Sequence, residues 1–219
     1  MRMRTIVFVV IVITTLLFCP TAKTDTSVDI GVSIGDEGLR GFYISVGDYY
    51  RVPEREVVIV RERGIPVQEV PVVLFIAKRV HVAPATIIDL RLGGNSWLNI
   101  MLKFGIGPEV LYVPVKEVYG PPYGKAYGYY KNKPRKKWHS IVLADDDVIN
   151  LVNLKFVSDY HGYPPEEIIK MRSKGKNFVM IDNEVKKGKK EKSEKDKNNS
   201  EKGNEKKDNG KGKGQGKKK

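Results

Sequence analysis

Five tyrosines, Tyr119, Tyr123, Tyr127, Tyr129 and Tyr130, stand close together with Gly and Pro between them. The cations Lys131, Lys133, Arg135, Lys136 and Lys137 follow at once, and Trp138 closes the run. Aromatic rings stack on sugars or bases, and interleaved cations attract phosphate or carboxylate. These ten residues form the candidate ligand-binding set. A second reading stays open: the rings pack down on a folded body and order the segment. Trp138 reads as a packing anchor.

The other chemistry-bearing residues are scattered. His81, His139 and His161 have neither an i+4 histidine nor a neighbouring cysteine, so no metal is expected and the histidines read as surface or capping groups. Asp145-Asp-Asp147 lacks the spacing and Gly of a calcium loop and reads as the acidic start of a helix. Glu166 and Glu167 follow Pro165 in the same way. No GxGxxG, P-loop, HExxH or GxSxG string occurs, so no cofactor and no enzymatic reaction are expected. His139-Ser140 is adjacency without catalytic geometry.

The net charge of +13 is unevenly placed. Lys186 to Lys219 holds 15 Lys against 6 Asp or Glu. Arg2 and Arg4 add two more, which leaves +2 for Lys23 to Val185. A basic tail on a nearly neutral body suggests a mobile polycation rather than a charged folded face. Arg2 and Arg4 precede an apolar run from Thr5 to Phe18, and small residues follow through Ala22. This is the order of a secretory signal peptide over residues 1–22, and the run is shorter than the roughly 20 residues a span needs. Leu16-Leu17-Phe18-Cys19 resembles a lipoprotein lipobox, although Phe18 stands where a small residue is wanted. Lipidation of Cys19 and an uncleaved anchor are therefore the lesser expectations. Cys19 is the only cysteine, so a body without it folds without disulfides.

The expected fold is α+β and mainly helical. Val28, Ile30, Val32 and Ile34, then Phe42, Ile44 and Val46, alternate with polar or small residues around a Gly-rich turn, which predicts a β-hairpin in region 23–52. Helical unit 1 is expected over 53–106, opened by Pro53-Glu-Arg-Glu with a further boundary at Arg61-Glu-Arg-Gly64. Shifted by 81 positions, the segment from Phe75 falls without gaps on the segment from Phe156. Phe75, Pro84, Ile87, Ile88, Arg91, Gly94 and Ile100 meet identical residues, the kind a shared backbone demands. Each copy reads as an apolar helix, a helix opened by proline and a third helix after a Gly turn. Helical unit 2 is expected over 146–185. A Tyr/Gly/Lys-rich connecting loop, with a short strand at Val110–Val115, is expected over 107–145. Residues 186–219 have almost nothing apolar to bury and are expected to be disordered.

The string Pro84-x-x-Ile-Ile-x-Leu-Arg-x-x-Gly94-x-Ser-Trp97-x-x-Ile100 resembles short helix-turn-helix-like units in tandem, found in uncharacterised exported bacterial proteins. The resemblance implies a helical fold and an exported compartment (periplasm, cell envelope or secreted) and adds no mechanism. A DNA-recognition helix needs polar and basic residues on its groove face. The third helices here are dominated by apolar residues, and sequence-specific DNA binding is not expected. The expected function is that of an exported, non-enzymatic envelope protein, structural or binding, whose cationic tail holds an anionic envelope polymer or membrane surface. The alternative is a nucleic-acid-binding protein using the Tyr/Lys loop and tail.

Overall fold

The computed structural model describes residues 35–117 and 120–191. The expected signal peptide of residues 1–22, Cys19, the first half of the expected hairpin, Tyr119 and the stretch beyond residue 191 lie outside them.

Among the described residues the fold is helical and has no strand, which overturns the expected α+β class. The second half of the hairpin is part of helix α1, Asp36–Tyr50. Phe42, Val46 and Tyr50 obey a helical period as well as Phe42 and Val46 obey a strand period. Ile44 separates the two, because a strand would bury it with Phe42 and Val46, whereas it is 39% exposed. Asp36 and Glu37 in the first turn favour the helix dipole. Gly47 is a close-approach position, since a Cβ there would lie 2.9 Å from the Val52 carbonyl oxygen. The chain therefore turns tightly against the end of α1 without a hairpin.

Helix α2, Glu54–Glu62, begins after Pro53 and buries Val57 and Val60. A short 3-10 turn, Val67–Glu69, leads into α3, Val70–Val80, the most deeply buried helix of this half. Helices α4, Pro84–Leu92, and α5, Trp97–Lys103, follow. In the second half, α7, Asp145–His161, precedes α8, Pro165–Ser173, and a last helix, α9, runs over residues 178–191.

The two halves share local backbone and capping features at the shift of 81. Helix α3 ends at His81 (φ 57) and α7 at Gly162 (φ 58). Gly94 (φ 87) and Gly175 (φ 86) take the same left-handed conformation, which glycine adopts without steric cost. Ser96 caps α5 by accepting from the Asn99 N–H at 3.2 Å, and Asn177 accepts from the Met180 N–H at 2.9 Å. Arg91 donates to the Asn95 carbonyl at 3.2 Å and Arg172 to the Lys176 carbonyl at 3.2 Å. Arg91 lies over Trp97 and Arg172 over Phe178, with 4.7 Å and 5.3 Å from guanidinium carbon to ring centre.

The same geometry occurs a third time, 30 residues before the first copy, and the sequence alone did not reveal it. Arg51 takes φ 56, as His81 and Gly162 do. Helix α2 has nine residues, as α4 and α8 have. Gly64 takes φ 96, and Arg61 donates to the Ile65 carbonyl at 3.3 Å. Only Arg and Gly are identical across all three, with Val replacing Ile in the core.

The segment 107–145 is not a loop. It contains a 3-10 turn at Pro108–Leu111 where a strand was expected, helix α6 at Gly124–Asn132, and another 3-10 turn at Arg135–Ser140. The tyrosines themselves carry the reason. Tyr123, Ala126, Tyr127 and Tyr130 fall at i, i+3, i+4 and i+7 and are all buried. Their burial outweighs the weak helix propensity of Gly124 and Gly128. Helix α9 likewise runs past Val185, so the boundary expected at residue 186 falls inside a helix.

Candidate functional site

The aromatic–basic segment divides into a floor and a face. Tyr123, Tyr127 and Tyr130 form the floor, each at most 2% exposed. Their hydroxyls donate to the backbone carbonyls of Asn150 (3.3 Å), Val113 (2.8 Å) and Pro108 (2.6 Å). Burial pushes all three hydroxyls well above the ordinary tyrosine range. Trp138 lies tilted against Tyr112 (4.6 Å) and edge-to-face with Tyr130 (5.0 Å), and its indole N–H is shared between the carbonyls of Tyr130 and Lys133 at 3.1 and 3.0 Å. Of the two readings of these tyrosines, the geometry of these three is that of packing. Their ring faces meet protein and are closed to a ligand.

The face is cationic. Lys131, Arg135, Lys136 and Lys137 are exposed, and Lys133 is half-buried. Lys133 Nζ donates to the carbonyl and hydroxyl of Ser140 at 3.3 and 3.2 Å. The Arg135 guanidinium stands 5.4 Å from the Trp138 ring centre. Half-buried Tyr129 is the one described tyrosine of the candidate set that reaches an open groove, alongside Lys125 and Lys133. Sequence reasoning missed Lys125. The available signal was the absence of any acid between Glu117 and Asp145, a stretch with six Lys or Arg. Among the described residues none of these six forms an ion pair.

Two ionic nodes lie elsewhere and fasten helices. Arg91 donates to both carboxylate oxygens of Glu69 (3.0 and 3.2 Å) and to Asp145 (2.5 Å). Trp97 completes the node, giving its indole N–H to Glu69 at 3.1 Å and its backbone N–H to Asp145 at 2.7 Å. Asp147 takes the Ala144 N–H at 3.0 Å, so the acidic run does begin a helix. Glu166, in the first turn of α8, accepts the Lys116 N–H at 3.0 Å, and that bond lowers its pKa.

In the second node, buried Asp182 meets His161 Nε2 at 2.7 Å, the Ser45 hydroxyl at 3.0 Å and Lys186 Nζ at 3.3 Å. This places His161 in the interior, whereas His81 and His139 are exposed. Ser, Asp and His are here in the wrong order for nucleophilic catalysis. The carboxylate stands between hydroxyl and imidazole, so the imidazole does not touch the hydroxyl as it does in a Ser-His-Asp triad. Among the described residues no group of three His, Cys, Asp or Glu could hold a metal ion. Nor is any described helix long and apolar enough to cross a membrane.

Compared with protein-family models, curated proteins and solved structures, the chain matches none. Function must therefore be argued from the face and its charge.

Proposed function

We propose that this chain is an exported, non-enzymatic envelope protein whose cationic face and lysine-rich C-terminal stretch hold a helical body against an anionic polymer or membrane surface. The carrying observation is charge segregation. Six Lys and Arg occupy residues 118–144 without an acid, and 15 Lys against 6 acids occupy residues 186–219. The buried tyrosines give the face a rigid base, so binding has no backbone there to order. Export rests on the order of charge, apolar run and small residues from Met1 to Ala22. Stacking on nucleic-acid bases is not favoured, because Tyr123, Tyr127 and Tyr130 are in the interior.

The test is sedimentation with vesicles containing anionic lipid and with an anionic glycan, across a salt series. Each lysine near an anionic surface contributes about 1 kcal/mol, and salt screens this within about 10 Å at 0.1 M. Removing residues 192–219 takes away 11 Lys and 5 acids, so adsorption should fall steeply while thermal unfolding stays unchanged. Cutting at residue 192 spares Lys186, which Asp182 holds. Adsorption that survives this deletion together with Lys131→Glu, Lys136→Glu and Lys137→Glu would overturn the proposal.

A further inference from the structure

Between α6 and the chain that leads into α7 runs an open groove of about 410 Å3, within the size range of small-ligand clefts. Lys125, Tyr129 and Lys133 form one wall, and the segment from Ser140 to Ala144 forms the other. That second wall is extended backbone, with φ −74 and ψ 132 at Ile141 and φ −73 and ψ 164 at Ala144. Its side chains alternate. Ile141 and Leu143 are buried, while Val142 is 75% exposed, the most exposed of the large apolar residues described.

The ends of this wall are satisfied. The Ile141 N–H donates to the Trp138 carbonyl at 3.0 Å, and the Ala144 N–H to Asp147. Between them, among the described residues, the N–H and C=O of Val142 and Leu143 find no protein partner. Extended backbone with free polar groups, an exposed β-branched side chain and a flanking groove is the equipment of an edge that accepts another strand.

We propose that this groove binds an extended acidic segment of a partner protein. The segment lies along residues 141–144, pairs with the free N–H and C=O of Val142, which share one edge while those of Leu143 face the other, and sets carboxylates against Lys125 and Lys133. Charge chooses the occupant. A second copy of the chain would bring the same six cations against six, and like charges facing each other are unfavourable. A neutral peptide would leave the two lysines unused. The groove shares Lys125 and Lys133 with the cationic face proposed above, but it engages a folded edge rather than a diffuse charge.

The experiment is fluorescence anisotropy with a labelled peptide that alternates Glu with Val or Ile, titrated with the full chain. Saturable binding is expected. The charge reversal Lys125→Glu with Lys133→Glu should weaken it about tenfold. Val142→Pro removes one N–H and should weaken it about fivefold. Deleting residues 192–219 should leave the affinity of the groove itself unchanged. Because a variant can fail to fold, the peptide provides an independent control. Methylating its backbone nitrogens at alternate residues preserves charge and abolishes pairing, so binding should be lost. Equal binding of the methylated peptide, loss of binding with the tail, or self-association of the chain through Val142 would each overturn the proposal.

Discussion

Replacing Arg91 by Leu is the sharpest test of how the repeated units are fastened together. Arg91 touches Glu69 through two hydrogen bonds, Asp145 through one and the face of Trp97, so one side chain ties α4 to the preceding turn, to α5 and to the start of α7. Its side chain is 20% exposed, that of Glu69 12% and that of Asp145 32%. Breaking a fully buried pair by removing one partner costs about 3–5 kcal/mol, whereas an exposed pair contributes about 0–1 kcal/mol. This node lies between those limits, and Arg91→Leu should cost about 2–3 kcal/mol. Glu69 would keep only the Trp97 indole, and Asp145 the Trp97 backbone N–H. For a chain of this size that lowers the unfolding midpoint by roughly 4–12 °C. Removing the stranded charge as well should return part of the loss. In a double-mutant cycle of Arg91→Leu and Glu69→Gln, followed by circular dichroism in urea, the coupling should be about 1–2 kcal/mol. The second unit provides the contrast, because Arg172 meets the neutral Asn150 oxygen at 3.0 Å where Arg91 meets Glu69. The Arg172 effect should therefore depend less on salt than the Arg91 effect. A cost below about 0.5 kcal/mol for Arg91→Leu, typical of an ordinary surface site, or zero coupling, would refute the reasoning.

Three further outcomes are expected. Gly94→Ala and Gly175→Ala should each cost about 1–2 kcal/mol in thermal unfolding, because both sites have positive φ and open space where the methyl would sit; equal stability of either variant with the parent would contradict the assigned backbone. Asp182→Ala should cost about 1–3 kcal/mol, since it leaves buried His161 without its hydrogen-bond partner and leaves Ser45 and Lys186 only the Gly41 carbonyl. Hydrogen exchange should then show α9 opening before the rest of the body. Tyr50, Tyr123, Tyr127 and Tyr130 are held above the ordinary value of 10 by burial, and Tyr160 is pushed up to about 12, first by burial and then by Asp48. The protonated forms are favoured in the fold. Their contribution is therefore fully present below pH 10 and is lost as pH rises above it. Tyrosinate absorbance from the buried rings should appear together with loss of helical signal, and ionisation well before unfolding would show the rings to be accessible.

The amino-acid sequence by itself determined what is local to the backbone. Pro84 and Pro165 begin helices at those residues, and Gly94 and Gly175 take the left-handed conformation, because a missing N–H and a missing Cβ act without reference to the rest of the chain. The 81-residue repetition was legible for the same reason, since identical local demands leave identical residues. The copy around Arg61 and Gly64 was not, because its core positions tolerate Val for Ile and only two residues remain the same in all three. Tertiary structure alone decided between strand and helix for Phe42 to Val46, whose spacing satisfies both until burial separates Ile44 from its neighbours. It also turned Tyr123, Tyr127 and Tyr130 inward, and it joined Lys125, Tyr129 and Lys133 to the extended Ser140–Ala144 segment around one groove. The Ser45 and Asp182 pair, 137 residues apart, belongs to the same class. Which ring is covered and which ion is paired depends on what packs opposite, and the elements that pack opposite are distant in the chain.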